Sequence, residues 1–214
     1  TQVDTALDAL REVYPAAAFA PGYTLSDEAD PALVSEAQDA ARGKCAVLFL
    51  GLPPIDESEG YDREHMDIPA QQVDLLHAVA EVATQTVVVL SNGSSVSVSP
   101  WRDDATAIVE AWLGGQASGS GVVDVLTGAV EPSGRLAESI PMRLADVPAQ
   151  LNFPGELSRV RYGEGRYIGY RAFDAMDVEV AYPFGHGLSY TSFAWDNLRV
   201  SATPITAETG QFDD

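Results

Sequence analysis

The run Cys45–Gly51, Cys-Ala-Val-Leu-Phe-Leu-Gly, is apolar throughout and is followed by Pro53-Pro54. A half-exposed strand alternates apolar and polar residues, so an unbroken run of this length predicts a strand buried on both faces, as in parallel sheets covered by helices. Thr86–Leu90 repeats the pattern with Thr, Val, Val, Val and Leu, and Ser91-Asn92-Gly93-Ser94 closes it. The stretch between them is opened by Asp67-Ile68-Pro69 and carries Val73, Leu76, Val79, Ala80 and Val82 at helical spacing. Two parallel strands joined through a helix form a βαβ unit, and that unit places the chain in the α/β class.

The flanking segments extend the alternation. Thr5–Val13 sets Leu7, Leu10 and Val13 on one helical face, and Tyr14-Pro15 stops it because the residue before proline disfavours the α region. Asp30-Pro31 supplies an N-cap and a first-turn proline for a helix over Ala32–Arg42 that Gly43 ends. Thr106–Trp112 fits strand or helix by periodicity, and its place before Gly114-Gly115 and the helix-like Gly121–Leu126 favours strand. The expected architecture is a three-layer α/β sandwich with a mostly parallel sheet. From Glu131 onward Pro132, Pro141, Pro148, Pro154 and Pro183 mark a loop-rich wrap, and Tyr190–Val200 reads as an extended strand leading into an acidic tail.

Charge narrows the partners. The chain holds 32 acidic and 12 basic residues among 214, a formal charge of -20, which is the wrong sign for nucleic acid or anionic lipid. No apolar run approaches the roughly 18 to 20 residues of a membrane-spanning helix. Cys45 is the single cysteine, so no internal disulfide framework exists, and the scattered His65, His77 and His186 argue against a structural zinc site. Inside its apolar run Cys45 reads as a small buried hydrophobe. Thr1–Leu10 has neither a basic start nor an apolar h-region, which leaves the compartment, cytoplasmic or secreted, open.

The densest ionisable segment is Asp56–Asp67, with Asp56, Glu57, Glu59, Asp62, Arg63, Glu64 and Asp67 following the first buried strand. Open α/β sheets bind ligands beyond the carboxyl ends of their strands, so a carboxylate here can project into a site. Charge runs are more often simply solvated, and both readings stand at this point. Gly-x-Ser-x-Gly, Gly-Lys-Ser/Thr and a strand-linked Gly-x-Gly-x-x-Gly are absent, which removes the usual support for acyl transfer, nucleotide hydrolysis and dinucleotide binding. Gly114-Gly115-Gln116 is either an anion cradle at a helix start or, more simply, a tight turn. Asn92-Gly93-Ser94 matches a glycosylation acceptor, yet a glycine turn explains it better.

Taken together, Glu57-Ser58-Glu59-Gly60-Tyr61-Asp62-Arg63 with Met66-Asp67-Ile68-Pro69, then Val87–Leu90, Glu110–Gln116, Pro132–Leu136, Gly169-Tyr170-Arg171 and Pro183–Thr191 resemble, in order, the second, α/β-sandwich domain of family 3 glycoside hydrolases, the β-glucosidase group. The resemblance implies part of a retaining β-glycosidase, in which one carboxylate attacks the sugar and another, about 5 to 5.5 Å away, acts as acid and then base. In the family the nucleophilic Asp lies on a preceding TIM-type barrel, a fold of roughly 250 residues in eight βα units that this chain cannot hold. The acid/base transfers to Glu59, with Glu57 as second choice because residues two apart on an extended loop point the same way. Tyr61, Asp62 and Arg63 are candidate substrate-binding residues, although for Arg63 bracing the loop through a carboxylate is the favoured role over contact with sugar. Asp56, Glu57 and Asp62 stand close enough in sequence to raise the acid's pKa.

The implied partners are a β-glycoside or oligosaccharide substrate and the barrel domain, with no cofactor and no metal. The α/β domain is expected to occupy residues 1–189, and 190–214 to be a linker or the start of a following β-sandwich module. Family members open with a strand that this chain lacks ahead of Thr5–Leu10, so the chain reads as a piece of a larger enzyme and is expected to be inactive alone. The rival reading is a non-catalytic, flavodoxin-like carbohydrate-binding or interaction domain.

Overall fold

The computed structural model describes residues 3–26 and 28–200. Helix α1 (Ala6–Val13) starts where the Thr5 hydroxyl accepts the Asp8 N–H, and α2 (Pro31–Ala41) where the Asp30 carboxylate accepts the Ala32 N–H at 2.9 Å. Strand β1 (Cys45–Gly51), helix α3 (Ala70–Ala80) and strand β2 (Gln85–Ser91) form the expected βαβ unit, with β1 and β2 parallel from Cys45 opposite Gln85 to Gly51 opposite Ser91. Strand β3 (Ala107–Glu110) adds to the other side of β2, in parallel, with Glu110 opposite Leu90. Helix α4 (Ser118–Thr127) follows and ends at Gly128, whose φ of 76° is the left-handed C-cap that glycine takes without strain. All three parallel strands therefore finish at one edge, the edge that carries the acidic loop.

The α/β class is as expected, and the described residues form no barrel. Leu48 and Leu50 of β1 and Val88 and Leu90 of β2 project onto Leu75, Leu76 and Val79 of α3, and Leu76 and Val88 are fully buried. Each such side chain contributes about 1.5 to 3 kcal/mol by leaving water. Only the central strand is buried on both faces: Val88, Val89 and Leu90 are all 2% exposed or less, whereas Phe49 of β1 is 41% exposed. The expectation of two-sided burial thus fails for β1, because β1 is an edge strand covered by α3 on one face. Cys45, first in that strand, is exposed and is not the buried hydrophobe its neighbours suggested.

Helices α1 and α4 pack on each other. Gly119 makes this contact possible, since a Cβ there would stand 2.5 Å from the Thr5 carbonyl carbon. The carboxylate of Asp4 accepts the Ser120 N–H at 2.8 Å, so the start of α4 is already capped by the chain's own anion. The Ser120 side chain and then its backbone N–H lower the Asp4 pKa. Gly115, at φ 71°, makes the tight turn that precedes it.

The second half wraps and is tied back to the core. Strands β4 (Ile140–Pro141) and β5 (Val180–Tyr182) pair antiparallel, and Ile140 and Ala181 are buried in the core. Helix α5 (Tyr170–Met176) buries Ala172 and Phe173. Leu136 donates to the His186 carbonyl and Gly185 to the Leu136 carbonyl, each at 2.8 Å. The expected strand over Tyr190–Val200 does not form: the backbone there is irregular and Trp195 is 95% exposed, because no described segment lies beside it to complete a ladder. The remainder of the expected 190–214 unit, residues 201–214, lies outside the described residues.

Candidate active site

Beyond Gly51 the chain turns at Pro53, whose carbonyl accepts the N–H of both Asp56 and Glu57, and then runs as an irregular loop to Pro69. The loop is anchored across the gap to β2. Gly93 donates its N–H to both Glu57 carboxylate oxygens at 2.9 Å. Arg63 donates from Nη2 to the Ser94 hydroxyl at 2.7 Å and to the Ser95 carbonyl at 3.3 Å. Ser97 donates its N–H to the Met66 carbonyl at 2.7 Å. Met66 and Ile68, both buried, seat the far end of the loop.

These anchors sort the sequence candidates. Glu57 is half-buried and committed to Gly93, whereas Glu59 is exposed at the turn formed by Gly60, whose φ is 80°. The carboxylate of Glu57 is thereby held against the Ser91–Ser95 turn. Arg63 does brace the loop, but through a hydroxyl and a carbonyl, not through a carboxylate as anticipated. Both bonds come from Nη2, and Nη1 is buried without a hydrogen-bond partner. Tyr61, Asp62 and Arg63 line a cleft of about 440 Å³ between the loop and the Leu144–Phe153 segment, with His65, Gln150 and Phe153 on its walls.

Two residues that carry weight in this region were not candidates from the sequence. Asn92 is 0% exposed and donates from Nδ2 to the Ser94 carbonyl at 3.0 Å and to Glu110 Oε2 at 3.4 Å. Glu110 also accepts the Trp112 N–H at 3.1 Å. Burial pushes its pKa up to about 7, with the like charge of Glu138 adding and the hydrogen bonds from Trp112 and Asn92 opposing. An acid at the end of a short apolar strand, inside the Glu110–Gln116 motif, was the available signal. Among the described residues no group of three or more His, Cys, Asp or Glu side chains is placed to hold a metal ion.

A parallel α/β sheet with an anchored acidic loop at its carboxyl edge is the architecture of a ligand-binding or catalytic α/β domain. The model of the glycosyl hydrolase family 3 C-terminal domain matches residues 1–190, and the chain belongs to that family. The chain is 49% identical over 211 residues to the exo-α-(1→6)-L-arabinopyranosidase of Bifidobacterium longum, covering 98% of this chain and 28% of that enzyme. It is 49% identical over 190 residues to the thermostable β-glucosidase B of Acetivibrio thermocellus, covering 88% of this chain and 25% of that enzyme. The crystal structure of a Bifidobacterium adolescentis family 3 β-glucosidase superposes with a TM-score of 0.90 at 51% identity, over 95% of this chain and 30% of that one. The chain thus spans under a third of the length of these relatives.

Proposed function

We propose that this chain is the part of a retaining β-glycosidase that supplies the general acid/base, Glu59, while a TIM-type barrel of the same enzyme supplies the nucleophilic Asp. The observation that carries the choice between the two glutamates is the double engagement of Glu57 by the Gly93 N–H, which leaves Glu59 free to face outward. In the first half-reaction Glu59 gives its proton to the glycosidic oxygen as the Asp attacks the anomeric carbon. In the second it takes a proton from the water that releases the sugar. An acid exposed on one domain gains the burial that tunes it for this work when the barrel closes over it. Tyr61, Asp62 and Arg63 then border the leaving-group side of the substrate.

The substrate class proposed is a β-glucoside or related oligosaccharide, as the names of the β-glucosidase relatives suggest; the arabinopyranosidase among them shows that the family's choice of sugar varies. In the barrel-containing enzyme, Glu59→Ala should lose about 10² to 10⁴ in rate on substrates with poor leaving groups and far less on activated aryl glycosides, with azide restoring the second step. Glu57→Ala behaving this way in place of Glu59→Ala would move the assignment by two positions.

A further inference from the structure

Glu110 stands where the carboxyl edge of the sheet meets the loop of Glu59. It ends β3 opposite Leu90, and its two oxygens are divided between two donors, the Trp112 N–H and the Asn92 Nδ2. Asn92 is fully buried, and its Oδ1 has no hydrogen-bond partner. The amide is therefore held through its nitrogen alone, by the Ser94 carbonyl and by Glu110. A buried polar group with half its capacity unmet persists only where the surrounding structure fixes it. The residues that follow it are the loop's anchors: Gly93 binds Glu57, and Ser94 and Ser95 bind Arg63. Glu57 and Arg63 flank Glu59 in the loop.

We propose that Glu110 is a positioning residue for the general acid/base: through the Asn92 amide its carboxylate fixes the Asn92–Ser95 turn, and that turn fixes the place of Glu59 through Glu57 and Arg63. The proposal rests on the assignment of Glu59 made above.

The two protonation states of Glu110 ask different things of Asn92. The carboxylate accepts from Nδ2, the arrangement observed. The acid form carries a hydrogen that needs an acceptor, and the unpaired Oδ1 of Asn92 is one on the same side chain. Turning Oδ1 toward Glu110 takes Nδ2 off the Ser94 carbonyl, so the ionised form holds the turn and the acid form releases it. Glu138 is the charged side chain that acts on Glu110, and Asn92 and Trp112 bring no charge. The upward push of burial to about 7 places this exchange in the neutral range.

The test is Glu110→Gln in the barrel-containing enzyme, assayed on one alkyl and one activated aryl β-glucoside. We expect kcat on the alkyl substrate to fall about 10-fold more than on the aryl one, a fraction of what removing the acid itself costs. KM should change little, azide should not rescue, and an inflection near pH 7 on the alkyl substrate should disappear. Equal losses on both substrates, or an unchanged leaving-group dependence, would overturn the proposal. Gly93→Ala probes the same link from the loop side, because its Cβ would meet Glu57 Oε1 at 2.9 Å. It should show the same leaving-group signature, and wild-type leaving-group dependence in that variant overturns the proposal whether or not Glu110→Gln folds. Glu59→Ala, run alongside, separates the two ideas: no azide rescue there strikes the acid/base assignment, whereas rescue there with wild-type behaviour in Glu110→Gln strikes the positioning role alone.

Discussion

The Gly93 N–H is shared between both carboxylate oxygens of Glu57, at 2.9 Å to each, across the gap that separates the acidic loop from the end of β2. This bond ties Glu57 to the turn after β2, two positions from the proposed acid/base, which has the same chemistry.

Glu57→Ala should therefore lower stability and, by loosening the anchor of the loop, slow alkyl glucosides more than aryl ones without azide rescue. Loss of one charge-assisted hydrogen bond at a partly exposed site costs about 1 kcal/mol, which lowers Tm by roughly 2 to 4 °C in a domain of this size. Thermal melts of the variant, paired with rates on aryl and alkyl glucosides with and without azide, check this; an unchanged Tm together with azide rescue would contradict it.

Glu110 gives stability a defined pH dependence. Its carboxyl titrates at about 7 when folded against 4.5 when exposed, so between those values the unfolded chain gives up a proton that the folded chain keeps. The stabilisation is complete below about pH 4.5 and is lost as pH rises through about 7, on the order of 3 kcal/mol in all. Glu110→Gln cannot ionise and should gain on the wild type by that amount over the same window. Urea unfolding midpoints of both proteins at several pH values give the difference; parallel curves would show that Glu110 titrates alike in the folded and the unfolded chain.

Gly119→Ala should separate α1 from α4. Its Cβ would lie 2.5 Å from the Thr5 carbonyl carbon and 2.6 Å from the Ala6 nitrogen, backbone atoms that cannot swing aside. The expected cost is about 2 kcal/mol or more, the range of overpacking at a close helix contact. By contrast Gly121→Ala, on the same helix with no atom within 4 Å of its Cβ, should be neutral or slightly stabilising. Denaturant midpoints of the two variants make the comparison.

The 214-residue chain on its own should hydrolyse no aryl β-glucoside above background, because double displacement needs a nucleophile as well as an acid. Sustained turnover by the purified chain, abolished by Glu59→Ala, would show that a second carboxylate of this chain serves as the nucleophile.

The fold class was legible because apolar runs, caps and glycine stops are local. Cys45–Gly51 reads as a strand, and Asp30-Pro31 as a helix start, from the pattern of their own residues. The ordered motifs likewise placed the loop that carries Glu59. What the sequence left open was decided by neighbours. Whether Phe49 and Cys45 are covered depends on β1 lying at the sheet's edge, and whether Tyr190–Val200 is a strand depends on a partner that none of the described segments provides. Glu57 and Glu59 are the same residue type two positions apart, and only the approach of Gly93, 36 residues further along, distinguishes them. Glu110 and Asn92 met for the same reason: parallel pairing aligns β2 and β3 and brings their carboxyl ends together, so a buried polar contact appears that neither segment encodes alone. Hydrogen bonds between distant residues follow from strand register, and register is a property of the assembled sheet.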